Sequence, residues 1–394
     1  MDLLAFLARG LTQAGWITHL LWFLCVTQLT IFSVTIYLHR VAAHRAADLH
    51  PAVAHVFRFW TWLTTAMVTK QWIAIHRKHH AHCETAEDPH SPQTHGIRKV
   101  LFDGVDLYRR ACHDTPSIEK YGGGAPNDWL ERKIYTPRPW LGPTVMFVLN
   151  FALFGAVGIV IWALQMIWIP FFAAGVINGL GHFVGYRNFD TRDAATNLVP
   201  WGVLIGGEEL HNNHHAHPSS AKFSQRRFEF DIGWAVLRSL TWLRLARVKR
   251  VAPKLRMVER KELDVESLRA LVAHRFQVMS DYFRHVVLPT VQDEARQAGA
   301  SIQSWRTRAK QLLKQDAAWL SERRRGLLAS WQQESPRIGQ LMEYRAKLRA
   351  IWETRHATND ELLHAVRNWC DSVEQSGIES LREFSLRLRN YAVA

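Results

Sequence analysis

An all-α, integral-membrane helical fold is predicted, with a histidine-rich cap on its cytosolic side and a soluble helical extension at the C-terminus. Three observations predict it. Residues 10–38 and 139–186 contain no Asp, Glu, Lys or Arg, and each stretch is long enough for a helix to cross a hydrocarbon core of roughly 30 Å. Histidines crowd the ends of these stretches, with 17 of the 21 in the first 217 residues. Beyond residue 261, charges of both signs alternate along helical faces, as on a solvated bundle.

Taken in order, residues 1–9 form a short amphipathic segment suited to an interface. Residues 10–38 make a helix of about 43 Å, the first crossing (about 11–38), whose end carries His39 out of the lipid. No basic region and small-residue cleavage site accompanies it, so it reads as an uncleaved anchor with a periplasmic N-terminus. Residues 51–69 are again apolar, except for Arg58. A full crossing there would put His39 and His44 on one membrane face and His76, His79 and His80 on the other. An interfacial or re-entrant helix over about 52–73 is therefore expected, with Arg58 and Lys70 near head groups. Residues 81–138 are polar, contain Gly122-Gly123-Gly124, and read as a cytosolic loop.

The second charge-free stretch fits two crossings, about 142–162 and 165–184, joined by a turn near 165–170. Two passes return the chain to its starting side, so His182 emerges on the face that holds the loop 81–138. Gly175, Gly179 and Gly181 permit close helix contact. Residues 222–261 carry twelve Lys or Arg against Glu229, Asp231 and Glu259. With a formal net charge of +14, this stretch suits anionic head groups on the cytoplasmic side. No base-reading motif accompanies it, so nucleic acid is not expected as a partner. The division is then a membrane-embedded part, 1–250, and a helical extension, 251–394. In the latter Leu268, Leu271, Phe276 and Met279 recur at helical spacing, as do Leu312, Leu313, Trp319 and Leu320. Breaks are expected near Pro289, Gly299, Pro336 and Gly377. No chemistry is visible there, and its role is unassigned.

The chemistry lies in the histidines. H-x-x-H-H occurs twice, at His76/His79/His80 and His211/His214/His215, and H-x-x-x-x-H once, at His39/His44. Imidazole is the side chain most used for transition metals. Positions i, i+3 and i+4 of a helix share a face, so each H-x-x-H-H offers three nitrogens in one direction. His39 and His44 point about 140° apart on an ideal helix, which suits two different metals or opposite sides of one site. Eight imidazoles exceed what a single ion accepts, so two metals are expected. The remaining histidines read as structural, although His82 and His217 directly flank boxes. The four cysteines are scattered without C-x-x-C, against a disulfide framework, a zinc ribbon or an iron–sulfur cluster.

The segments HRVAAHRA, HRKHHAHCETAEDPH, NGLGHFVGYRNFD and GEELHNNHHAHP resemble, in order and spacing, the membrane-bound acyl (fatty acid) desaturases of the histidine-box di-iron type. The resemblance covers roughly residues 30–235. It implies a pair of irons held by the three boxes and by the histidine of an N-x-x-x-H element, here His182, with Asn178 reaching an iron through water. The implied set is His39, His44, His76, His79, His80, His182, His211, His214 and His215, plus Asn178. In place of the family's small or aromatic pair before the third box stand Glu209 and Leu210. Asp88, in the family's D-P-H context, either orients a ligand imidazole or makes a turn.

Zinc has no accessible redox chemistry, whereas iron can activate O2 against an unactivated C–H bond. The resemblance implies a cis double bond, typically Δ9, placed in a saturated acyl chain of a membrane lipid or acyl-CoA, with O2 as co-substrate. The chain has no haem motif, Rossmann fingerprint or cluster ligands. Electrons must then come from a separate ferredoxin-type or cytochrome-type donor and an NAD(P)H-dependent reductase. The expected location is a bacterial inner membrane with the site facing the cytoplasm. A related alternative is a membrane di-iron hydroxylase of alkyl or carotenoid substrates. An alternative of another class is a non-catalytic metal-binding or metal-transport protein, which would line the membrane interior with polar ligands. Here only His19 lies mid-span.

Overall fold

Most of the described chain is helical. The computed structural model describes residues 2–260, 262–314, 317–354 and 356–393; the readings that fall on Met1 and Lys261 lie outside them. The chain divides into two units, one of Met1–Arg187 with Asp193–Ala252, the other of Asn188–Arg192 with Pro253–Ala394.

In the first unit the helix Trp16–Ala43 is 28 residues long and apolar enough to cross a membrane by length and composition. Over Ser33–Ala43 it adopts the π pattern, in which each bond spans five residues. His44 N–H accordingly meets the His39 carbonyl at 3.0 Å. Pro51 opens the helix Pro51–Thr65 with its φ already helical. The left-handed Ala66 (φ 57) closes it, and Thr69–His82 follows with the second box. Arg58 does not sit at a head group. It is buried, 2.5 Å from Asp128 and 3.9 Å from Glu131. A buried guanidinium needs a partner, and the polar loop folds back to supply two carboxylates. Lys70 pairs with Glu119 at 2.5 Å.

The turn expected near residues 165–170 falls elsewhere. The helix Ala156–Leu180 runs unbroken for 25 residues and passes the apolarity and length test for a crossing, while the preceding helix is the shorter Leu141–Phe154. They join at Gly155, whose φ of +60 is left-handed and favours glycine. Gln165 and Pro170 misled the reading: Pro170 fits at the start of the π segment Pro170–Leu180, and Gln165 is simply buried in the helix. The helices on either side of Gly155 touch backbone to backbone. A Cβ on Gly158 would come within 2.0 Å of the Asn150 carbonyl oxygen. Asn150 is itself buried and accepts from Trp22 Nε1 at 2.8 Å, an interhelical hydrogen bond of the kind that holds apolar helices together. Leu20, Leu21, Leu24, Val148, Val160 and Ile167 stay exposed on these helices.

The amphipathic helix Ile97–Cys112 packs on Pro170–Leu180. Gly175 meets Leu101 there, where a Cβ would lie 2.5 Å from the Leu101 carbonyl oxygen, so close packing is the role of this glycine. Short strands tie the ends of the unit together: Ala47–Leu49 pairs antiparallel with Ala246–Val248, and Trp201–Gly202 pairs parallel with Phe230–Asp231.

The second unit is a helical bundle with its own core, built around Tyr282, Trp331, Trp369 and Phe384. Leu268, Leu271, Met279, Leu312, Leu313 and Leu320 are buried as their spacing predicts, whereas Phe276 and Trp319 are half-buried. Gly299 and Gly377 break helices with φ of 61 and 70, and Pro336 opens Pro336–Glu353. Pro289 breaks nothing. The helix absorbs it through the π turn Phe283–Val287, which rearranges the backbone bonds just where proline lacks a donor. The strands Leu255–Met257 and Tyr391–Val393 pair antiparallel.

Candidate metal centre

Nine histidines from four segments converge in the first unit, in two sets. His39, His44, His76, His80 and His214 form one, each offering a ligand atom within 4.8 Å of every other. His79, His182, His211 and His215 form the other, with ring centroids 4.4–5.2 Å apart in the pairs that touch. Every histidine of the three boxes, and His182, is therefore brought in. The boxes do not act as units, however. His76 and His80 face the first set and His79 the second, while His214 joins the first and His211 and His215 the second. His39 and His44 are not splayed between metals. The π geometry puts residues five apart on one side, and their rings lie 4.9 Å apart in the same set.

Within the sets the Nε2 atoms face one another. The separations are 2.7 Å for His44–His76, 2.9 Å for His80–His214, 3.1 Å for His39–His214 and 2.9 Å for His182–His211. Two nitrogens bound at right angles to one ion, with bonds of about 2.1 Å, would lie about 3.0 Å apart. The donors thus fit transition-metal coordination. Burial first, and the crowded imidazoles second, hold His44, His76, His80, His211, His214 and His215 well below the usual histidine range. They are neutral, the form a metal takes up.

Carboxylates back four of the rings. Glu208 Oε1 lies 2.6 Å from His39 Nδ1, Asp88 3.0 Å from His79 Nδ1, Glu84 2.8 Å from His182 Nδ1 and Asp193 2.9 Å from His215 Nδ1. A carboxylate at Nδ1 accepts a hydrogen bond from its N–H, keeps the proton there, and so aims the Nε2 lone pair inward. For His79 burial is the largest influence and pushes its pKa down, yet the Asp88 carboxylate overrides it and the net shift is upward. Asp88 is thus an orienting group. The carboxylates are braced in turn: Thr35 donates to Glu208 at 2.6 Å, and the Ala194 amide to Glu84 at 3.2 Å. Glu84 and Asp193 escaped the sequence reading because they reach in from irregular segments, where no helical spacing links them to a histidine. Their signal was only their place beside H-x-x-H-H and N-x-x-x-H.

Cys83 Sγ approaches His79 Nε2 at 3.8 Å. Burial, then Asp193, Glu84 and Asp88, push its thiol well above the ordinary range. His82 turns to the Tyr121 hydroxyl at 2.8 Å. His90, read from sequence as structural, packs its ring 4.4 Å from that of His79. A cavity of about 890 Å³ opens beside the centre. Asn178 lines it together with His39, His76 and His211, and its remaining wall is mostly apolar, including Val68, Trp72, Val105 and Ile177.

The outer carboxylates carry a direct test. Glu208→Gln keeps the shape but removes the charge from His39 Nδ1, and Glu84→Gln does the same for His182. Each is expected to weaken metal binding about 10–100-fold, the first in the five-histidine set and the second in the four-histidine set. Anaerobic titration with Co(II), followed by its absorption, distinguishes the two; equal affinities in both variants and wild type would contradict this role.

A family model described as fatty acid desaturase matches residues 14–257, and one described as transposase matches residues 269–394. Among curated proteins the chain is 30% identical over 218 residues to a probable lipid desaturase, ADS3.2, of Arabidopsis thaliana chloroplasts, covering 54% of this chain and 58% of that protein. It is 27% identical to acyl-CoA 5-desaturase AL21 of Anemone leveillei, covering 59% of this chain and 71% of the other. It is also 27% identical to sn-1 stearoyl-lipid 9-desaturase of Anabaena variabilis, covering 56% and 79% respectively.

Proposed function

The chain belongs to the fatty acid desaturase family, and from that premise we propose that it is an O2-dependent membrane oxidoreductase. It introduces a cis double bond, at Δ9, into a saturated acyl chain of a membrane lipid or acyl-CoA. One observation carries the reading: two sets of inward-facing imidazoles stand at the wall of a largely apolar cavity. Nine histidines hold two ions, His39, His44, His76, His80 and His214 one of them, and His79, His182, His211 and His215 the other, with Asn178 acting through water. Bound there, iron supplies the O2 and one-electron chemistry that takes hydrogen from an unactivated C–H bond. The protein supplies the rest. An alkyl chain has no polar handle, so the cavity walls position it and exclude water, while Glu208, Asp88, Glu84 and Asp193 hold protons at the Nδ1 atoms. Removing two hydrogens while O2 becomes two waters requires two electrons, which a ferredoxin-type or cytochrome-type donor and its reductase provide.

The exposed leucines and valines of Trp16–Ala43, Leu141–Phe154 and Ala156–Leu180 support a lipid setting, since exposed apolar faces of this kind mark membrane or partner contact. The site then faces the cytoplasm of a bacterial inner membrane, and the basic residues of 222–260 lie toward anionic head groups. The reaction belongs to the first unit. Among the described residues of Pro253–Ala394, no three metal-ligating side chains come together.

The test is a fatty-acid profile, with double-bond positions, of desaturase-deficient cells expressing the wild-type chain under good aeration. New Δ9 monounsaturated chains are expected, and lipid-class separation then identifies the carrier. Hydroxylated chains would instead make this a hydroxylase, and an unchanged profile with iron bound and a reductase supplied would reject the enzyme reading.

A further inference from the structure

The turn that ends the second box brings a sulfur to the four-histidine set. His79 and Cys83 stand four residues apart, the spacing that shares a helix face, and Cys83 caps the helix Thr69–His82. Its Sγ lies 3.8 Å from His79 Nε2 and 4.0 Å from His182 Nδ1. One ligand atom from each of His79, Cys83, His182 and His215 lies within 4.8 Å of every other. His211 stands outside that group of four, although its Nε2 is 2.9 Å from that of His182. A nitrogen and a sulfur bound to one ion, at about 2.1 and 2.3 Å, would lie about 3.8 Å apart at an angle of about 120°. The separation between Cys83 and His79 is that of two donors sharing an ion.

The surroundings of the sulfur point the same way. His215 is 6% exposed, and its Nε2 has no hydrogen-bond partner among the described residues. Asp193 holds the opposite nitrogen, Nδ1, at 2.9 Å, so the unpartnered atom turns toward the group that contains Cys83. A buried polar atom left in this state calls for an ion or another partner. Asp88 backs His79 and Glu84 backs His182 in the same manner. Glu84 reaches its place because the chain turns sharply after Cys83: its φ is +64, left-handed for a residue with a side chain, and its amide donates to Asp88 Oδ2 at 2.8 Å. The segment His79–Asp88 thus brings an imidazole, a thiol and two orienting carboxylates to one position. Among the described residues, the five-histidine group includes no cysteine.

We propose that Cys83 is a direct sulfur donor at the four-histidine position, a ligand that the histidine boxes do not include. Without an ion, burial first and the carboxylates second keep the thiol protonated. The charge of a bound ion reverses that balance: the thiol proton leaves to solvent, the sulfur binds as thiolate, and no electron is transferred. The two metal positions then differ in kind. One is built from imidazole alone. The other carries a soft donor, of the type that favours zinc and copper(I) over harder ions.

This rests on the two-metal reading of the histidines, and the experiment separates the two. The full-length chain, stripped of metal in detergent, is titrated anaerobically with Co(II). Bound metal is counted, and the near-ultraviolet absorption is followed for a thiolate-to-cobalt charge-transfer band, which imidazole does not give. Wild type is expected to take up two ions and to show the band for one of them. Cys83→Ser should abolish the band and lower the affinity of that ion by at least about tenfold, since even loss of an outer partner costs that much, with the other ion unchanged. The other three cysteines are free thiols too, so a chain carrying Cys25→Ala, Cys112→Ala and Cys370→Ala together should keep the band. That variant assigns the sulfur even if Cys83→Ser fails to fold. Two bound ions without the band in wild type, a band that survives Cys83→Ser, or one lost with the other three cysteines would overturn the sulfur ligand. A wild-type chain that binds fewer than two ions would overturn the metal reading itself.

Discussion

His214→Ala is expected to abolish turnover and to empty one of the two proposed metal positions. This ring is central in the five-histidine set: its Nε2 lies 2.9 Å from that of His80 and 3.1 Å from that of His39, and its centroid is 4.7 Å from that of His44. Its Nδ1 is buried without a hydrogen-bond partner among the described residues, so the cluster and the Phe223 ring 4.8 Å away hold it in place. Alanine removes a donor that no neighbour can replace, because His39 Nδ1 already serves Glu208 and the rings of His44 and His76 already face each other. Even loss of an outer partner costs about 10–100-fold in metal affinity or activity, and a direct donor costs more. The expected result is one ion per chain instead of two and a fall of more than about 100-fold in monounsaturated product. Iron counting and gas chromatography of total fatty acids measure the two effects. Product at the wild-type level, with two irons retained, would remove His214 from the centre and break the shared-site argument.

What the sequence made legible follows a physical boundary. The two H-x-x-H-H boxes were readable because spacing of three and four residues fixes direction on an α-helix. Thr69–His82 and His211–Ala216 are α-helices. For His39 and His44 the reading of one shared site agrees with the geometry and that of two different metals does not; the expected 140° assumes α geometry, whereas Ser33–Ala43 is a π-helix, and no residue in SVTIYLHRVAA signals that switch. The hairpin turn was misplaced because Pro170 and Gln165 looked like breakers, while the true break depends on one left-handed glycine among several in the stretch. His182 and Asn178 came from the family resemblance. Glu84 and Asp193 carried no signal beyond their place beside the histidine motifs, since their partners lie 98 and 22 residues away and only the fold brings them together. Arg58 shows the same limit in reverse, as an isolated charge in an apolar stretch whose partners come from a loop 70 residues on.

The second large effect is one of stability, at the ion pair beneath the centre. Arg40 is 0% exposed and Asp231 3%. Arg40 Nη2 donates to Asp231 Oδ1 at 2.9 Å and to the Gly206 carbonyl at 3.0 Å, and Nη1 donates to the Ala221 carbonyl at 3.1 Å. Asp231 also accepts the amides of Phe223 and Trp234, so one carboxylate caps the helix Ile232–Trp242 and anchors a loop. The guanidinium lies 3.9 Å above the Phe223 ring, and that ring packs 4.8 Å from His214 and 5.5 Å from His39. The space is filled to the backbone: a Cβ on Gly207 would fall 2.4 Å from Asp231 Oδ1 and 2.7 Å from Arg40 Nη2. Removing either partner leaves a buried charge with no counter-charge, at a cost of about 3–5 kcal/mol. Asp231→Ala and Arg40→Met are therefore each expected to lower the thermal midpoint of the purified protein sharply and to lose metal with it, because Phe223 no longer supports His39 and His214. Replacing both together, Arg40→Met with Asp231→Leu, should destabilise less than either single change, since it leaves no stranded charge. If the double variant instead lost the sum of the two single effects, the pair would be acting as two independent hydrogen-bonding hubs and not as one neutralised unit.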